Sequence, residues 1–158
     1  MNTILPEILN SGKEKDTAIT IPDKEKINYL ELKNLVSEIS EKLYSFGIQS
    51  ERPIVIVLRN NAEFIISFLG VTNTSAVAAP LNPEFTDEEF NFYLDDINPS
   101  MVITSEGHSV IKQAKAKKIP TSVISFNNGS LKMDFDSEES EKKDLNKPNE
   151  KNSCLFLH

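Results

Sequence analysis

Six consecutive residues, Pro53-Ile54-Val55-Ile56-Val57-Leu58, carry no polar side chain, and charged residues bound them on both sides. A strand with one wet face alternates apolar and polar residues. A β-branched run without alternation reads instead as a strand buried on both faces. Whatever this chain folds into must supply two layers of cover for that strand.

The cover is written on either side of it. Asn28 and Glu31 have the spacing of a capping box, and Leu32, Leu35, Val36, Ile39, Leu43 and Phe46 then recur every three or four residues until Gly47 supplies a left-handed stop. This predicts a helix with one side against a core. A second helix is expected after the strand, with Asn60 and Glu63 at capping-box spacing and Phe64, Ile65, Phe68 and Leu69 packing. Ala76 to Ala79 reads as a short strand cut off by Pro80 and Pro83. Thr86 and Glu89 then form another capping box, with Phe85 and Phe90 placed as a hydrophobic staple. Phe90, Tyr93, Leu94 and Ile97 continue that third helix until Pro99.

The alternation goes on with a strand at Met101–Thr104, a helix around Ser109 to Lys117, and a strand at Ser122–Phe126. Residues 127–152 turn polar and acidic and are expected to form a flexible surface loop, before an apolar strand at Cys154–Leu157. At the other end, residues 1–17 are expected to be a packing arm carrying Ile4, Leu5, Ile8 and Leu9, followed by an edge strand at Ala18–Ile21. Strands alternating with amphipathic helices imply right-handed βαβ units. The expected fold is a doubly wound α/β domain: a mostly parallel sheet with helices on both faces.

The inventory of reactive groups is thin. The 158 residues carry a net charge of -7, which disfavours non-specific binding to nucleic acid or anionic membrane. Lys112, Lys115, Lys117 and Lys118 are the densest basic group, and without aromatic neighbours they read as a solvated helix face. Cys154 is the sole cysteine, so there is neither a disulfide framework nor a Cys-rich metal site, and a reducing compartment is expected. The N-terminal residues lack the basic-then-apolar form of a secretory signal, and no apolar run reaches the about 20 residues of a membrane span. The sequons Asn73-Thr74-Ser75 and Asn128-Gly129-Ser130 read as chance matches.

Open α/β sheets bind ligands beyond the carboxyl ends of their strands, and phosphates there usually sit on a glycine-rich loop. The five glycines, at positions 12, 47, 70, 107 and 129, are too far apart to build one. His108 follows Gly107 at an expected helix start, where a surface or capping role explains it better than catalysis, and His158 cannot be shown to share a site with it. No serine lies in GxSxG, and the pairs Asp87/Glu88 and Asp95/Asp96 suit charged helix ends. The residues alone assign no catalytic, cofactor-binding or metal-binding position.

The stretch Arg59–Asp96, and within it Ala79-Pro80-Leu81-Asn82-Pro83 followed by Glu89-Phe90-Asn91-Phe92-Tyr93-Leu94-Asp95-Asp96, resembles the early part of adenylate-forming acyl-CoA synthetases, the AMP-binding ligase superfamily. Within it the resemblance is to the oxalate–CoA ligase or fungal peroxisomal coenzyme A synthetase group. Ile27-Asn28-Tyr29-Leu30-Glu31-Leu32 resembles the first core motif of that superfamily and Val71 to Asn82 its second, so the likeness covers roughly residues 18–158.

The resemblance implies an incomplete N-terminal subdomain, in which Leu155-Phe156-Leu157-His158 corresponds to the strand that enters the family's phosphate-binding loop. The intact family uses ATP, Mg²⁺ and coenzyme A to form first an acyl-adenylate and then an acyl-CoA. None of its nucleotide-contacting or catalytic motifs has a counterpart in these residues, so the chain alone is expected to be inactive. The other readings are a non-catalytic interaction module that associates with a separately encoded remainder or an intact relative, and a small flavodoxin-like ligand-binding domain. Cytoplasmic placement is the default expectation, with the peroxisome open to the intact family through a C-terminal tripeptide.

Overall fold

A computed structural model describes residues 5–22, 26–48, 51–136 and 155. In chain order the elements are a 3-10 turn at Leu5–Asn10, β1 (Thr17–Thr20), β2 (Lys26–Asn28), α1 (Tyr29–Phe46), β3 (Pro53–Val57), α2 (Ala62–Thr72), β4 (Val77–Pro80), α3 (Asp87–Ile97), β5 (Met101–Thr104), α4 (Val110–Ala116), β6 (Thr121–Asn127) and β7 (Ser130–Phe135). The main sheet has the order β4-β3-β5-β6-β7. β4, β3, β5 and β6 run parallel, while β7 is antiparallel to β6.

β3 is buried on both faces, and Ile54, Val55, Ile56 and Val57 are all 0% exposed. Because strand side chains alternate, Ile54 and Ile56 join Met101 and Ile103 under α1 and α2. Val55 and Val57 join Val102 under α3 and α4, against Phe90, Leu94, Val110 and Ala114. The sheet therefore divides two apolar cores, and the expected doubly wound architecture is the one observed. Each large side chain that leaves water here contributes about 1.5–3 kcal/mol relative to an exposed one.

α1 and α3, on opposite faces, begin and end as their sequences dictate. Asn28 caps α1 with both bonds of the box, since the Glu31 N–H donates to Asn28 Oδ1 at 2.9 Å and the Asn28 N–H donates to Glu31 Oε2 at 2.8 Å. All six expected core residues of α1 are buried, and Gly47 closes it at φ 87°. Thr86 and Glu89 form the box at α3, the staple rings of Phe85 and Phe90 lie 6.0 Å apart, and Asn98 in the left-handed region ends the helix before Pro99.

Four expectations need correction. The cap of α2 is Asn61, whose Oδ1 accepts the Phe64 N–H at 3.0 Å, and not Asn60. Glu63 is thereby released from a capping box and accepts the Phe126 N–H of β6 at 3.1 Å. The shifted phase turns Ile65 outward, 38% exposed, and buries Ile66 with Leu69. Two adjacent asparagines are both competent caps, and a helix apolar almost all round gives little periodicity with which to choose between them.

β4 runs one residue later than expected and includes Pro80. The N–H of Val77 donates to the Arg52 carbonyl just before β3 and that of Leu81 to Ile56 within it, so the intervening Ala78 and Pro80 present their nitrogens to the opposite side, where a missing donor breaks no bond to β3. On that outer side Ala78 forms a parallel bridge with Leu155, the one described residue of the strand expected at Cys154–Leu157.

The third correction concerns the loop expected at 127–152. Its first part is a hairpin: Asn128 and Gly129 both have positive φ, 48° and 72°, in a two-residue turn closed by the Asn127–Ser130 pair. Asn-Gly is the preferred sequence for such a turn, and the alternation of Leu131, Met133 and Phe135 that follows marks a strand with one face inward. Leu131 and Met133 are buried, and Phe135 stacks on Phe46 of α1 at 4.8 Å. Asp136 then locks the far end, accepting both the N–H and the Oγ1–H of Thr121 at 2.7 Å. Residues 137–152 lie outside the described residues.

The fourth concerns the N-terminal strand. Thr17–Thr20 pairs with Lys26–Asn28 in a separate two-stranded antiparallel sheet, not along the main one. Before it, Leu9 packs into the α1–α2 core while Ile8 stays half exposed. Ile4 lies outside the described residues.

α1 and α2 cross with Gly70 directly over Ile39. A Cβ at position 70 would lie 2.6 Å from Ile39 Cβ, which a β-branched side chain on a helix cannot relieve by rotation. Gly70→Ala is expected to lower the unfolding free energy by about 1–3 kcal/mol through overpacking. In an Ile39→Ala background the same substitution is expected to cost measurably less, a coupling that urea unfolding of the four proteins would read.

Candidate ligand crevice

The order β4-β3-β5 creates one place where the chain leaves neighbouring strands in opposite directions. After β3 it turns to α2 on one face, and after β5 it turns to α4 on the other. The loops separate, and a crevice opens beyond the carboxyl ends of β3 and β5. Its volume is about 490 Å³. Val57, Leu58, Arg59 and Asn61 line it from β3 and the start of α2, Pro83 and Glu84 from the loop after β4, and Ser105 to His108 from the loop after β5.

Short polar contacts hold each wall. Thr104 Oγ1 donates to the Val57 carbonyl at 3.0 Å, fixing the end of β5 to the end of β3. Asn82 organises the loop after β4, its Oδ1 accepting the Glu84 N–H at 3.0 Å and its carbonyl accepting the Phe85 N–H at 3.2 Å. Across the rim Arg59 Nη2 meets Glu84 Oε1 at 3.0 Å, with both side chains more than two-thirds exposed. Gly107 turns the loop after β5 at φ 72°, and a Cβ there would meet nothing within 4 Å, so its backbone borders open space.

Of the surface or capping role expected for His108, the structure shows capping. Its Nδ1 accepts the Val110 N–H at 3.2 Å, and Nε2 lies 3.0 Å from the Pro83 carbonyl. His158 is outside the described residues. The lysine group is the expected solvated face with local ion pairs, Lys117 to Asp95 at 2.6 Å and Lys115 to Asp136 at 4.0 Å. Asp87 and Glu88 sit in the first turn of α3.

The crevice residues do not fit a bound triphosphate or Mg²⁺. Among the described residues that line it, Arg59 is the sole cation, it already faces Glu84, and Glu106 adds a second carboxylate. No group of three His, Cys, Asp or Glu side chains among the described residues could hold a metal ion. An apolar floor with a mixed polar rim can receive part of a ligand, but it supplies no cradle of donors for phosphate charge.

Sequence reasoning found the ends of these strands without finding the crevice. Which loops face one another depends on strand order, and β3 lies between β4 and β5 although β4 follows it in the chain. Pro83 and Gly107, breakers placed shortly after two strands, are the signal that points to both walls.

Fold and crevice together define an open α/β layer with a crevice at its topological switch point. Its family is given by comparison. Residues 10–158 match the family model of AMP-binding enzymes. The chain is 34% identical over 102 residues to an oxalate–CoA ligase of Arabidopsis thaliana, an alignment covering 63% of this chain and 20% of that one. It is 28% identical over 111 residues to an oxalate–CoA ligase of Saccharomyces cerevisiae, covering 65% and 20%. Among solved structures, apo MatB from Rhodopseudomonas palustris superposes with a TM-score of 0.69 at 20% identity, covering 78% of this chain and 25% of that one. The chain belongs to the AMP-binding enzyme family, as its resemblance implied, and corresponds to the N-terminal part of such enzymes. It spans about a fifth of the length of these two curated relatives.

The rim pair offers a direct check on how firmly the crevice is charged. A double-mutant cycle on Arg59 and Glu84, each changed to alanine, is expected to give a stability coupling below about 1 kcal/mol that shrinks further as salt is added. Chemical unfolding at low and high ionic strength would measure it.

Proposed function

We propose that this chain is the N-terminal scaffold of an ATP-dependent acid–CoA ligase, with residues 1–17 as an arm and 18–158 as part of the AMP-binding domain, and that these 158 residues alone do not form an acyl-adenylate. The observation that carries this reading is the match of residues 10–158 to AMP-binding enzymes. Oxalate–CoA ligases among the relatives make oxalate the acid to try first.

Attack of a carboxylate on the α-phosphate of ATP needs donors and cations fixed where negative charge develops. ATP and coenzyme A are the substrates of that chemistry and Mg²⁺ supplies charge neutralisation when bound. In the crevice, Arg59 is opposed by Glu84 and Glu106. The residues of this chain hold the sheet, set the two loops at its carboxyl edge and offer an apolar floor. On this reading phosphate stabilisation comes from residues other than those that line the crevice, and the remainder of the ligase is the expected partner.

Two assays test the reading together. The 158-residue chain with ATP, Mg²⁺, oxalate and coenzyme A is expected to release no pyrophosphate above blank, and a clear signal would contradict the proposal. A chimera carrying residues 10–158 in place of the matching part of the Arabidopsis oxalate–CoA ligase is expected to fold and to release pyrophosphate with oxalate. A folded, inactive chimera would instead favour a non-catalytic interaction module.

A further inference from the structure

His108 touches three elements at once. Its ring meets Phe90 of α3 edge-on, with centroids 5.6 Å apart and planes at 80°. Its Nδ1 accepts the first N–H of α4, from Val110, and its Nε2 lies against the Pro83 carbonyl in the loop after β4. A backbone N–H can only donate, so Nδ1 must carry a lone pair. The neutral ring therefore holds its proton on Nε2, and that proton is donated to Pro83.

The geometry makes this more than a helix cap. β4 and β5 lie on opposite sides of β3, so a side chain rooted after β5 and bonded to the loop after β4 reaches past the end of β3, along the α3–α4 side of the crevice. The loop it reaches is already ordered internally by Asn82 and bonded through Glu84 to Arg59. Thr104 holds the strand ends together below. Ser109 makes no side-chain cap to α4, leaving that task to His108.

We propose that His108 is the positioning residue of the switch-point crevice: in its Nε2–H form it ties the loop after β4 to the loop after β5 and so sets the distance between the crevice walls. The inference stands on the hydrogen bonds alone and does not depend on the ligase reading, so either can fail without the other.

Two near-isosteric substitutions separate its two bonds. In His108→Asn the side-chain oxygen takes the place of Nδ1 but nothing reaches Pro83. In His108→Gln the side-chain NH₂ takes the place of Nε2 but no acceptor faces Val110. Amide hydrogen exchange on the full chain is the readout. His108→Asn is expected to speed exchange at Glu84 and Phe85 about fivefold, the loss of one hydrogen bond, with Val110 unchanged. His108→Gln is expected to do the reverse. Acceleration of the same amides by both variants, or no change at Glu84 and Phe85 in His108→Asn, would overturn the proposal. Should either variant fail to fold, the ¹⁵N imidazole spectrum of the unaltered chain in alkaline buffer decides: an Nε2–H ring supports the tie, and an Nδ1–H ring refutes it.

Discussion

Everything in this molecule depends on burying β3 from both sides. Four consecutive residues, Ile54 to Val57, have no exposed surface, and no single layer of cover could achieve that. The requirement places α1 and α2 over Ile54 and Ile56, and α3 and α4 over Val55 and Val57. With β3 inside the sheet, β4 and β5 must flank it, and the helices that follow β3 and β5 must leave to opposite faces. The crevice at their carboxyl ends is a by-product of that separation.

The elements that were legible in the sequence are those whose signals are local. Asn28 with Glu31, and Thr86 with Glu89, announce their helices because a capping box is a contact within four residues. The unalternating run at β3 gives its burial directly. What was not legible rests on choices that the local signal leaves balanced. Asn60 and Asn61 are equally able to cap α2, and the decision falls to tertiary contacts, among them the bond from the Phe126 N–H to Glu63. Residues 130–135 were hidden inside a longer acidic stretch, although Asn128-Gly129 and the alternation after it spell out a hairpin. Composition averaged over a window outweighed a two-residue turn.

The crevice was the least legible feature, because its walls are brought together by strand order and not by spacing. Pro83 and His108 are 25 residues apart in the chain and 3.0 Å apart in space. His108 also shows how a negative expectation can be right about chemistry and still incomplete. It caps a helix, as its place after Gly107 suggested, and at the same time it joins two loops that no motif linked. Membership of the AMP-binding enzyme family gives the scaffold its context, and Arg59 is the sole cation among the described residues that line the crevice.

That a doubly buried β3 organises the sheet of this chain is open to direct test. Hydrogen–deuterium exchange across the 158 residues measures it most directly. The backbone amides of Ile54 to Val57 should be among the slowest in the molecule, exchanging at the rate set by global unfolding, with those of the small β1–β2 sheet much faster. Amides of β3 that exchange as fast as those of β1 and β2 would contradict it.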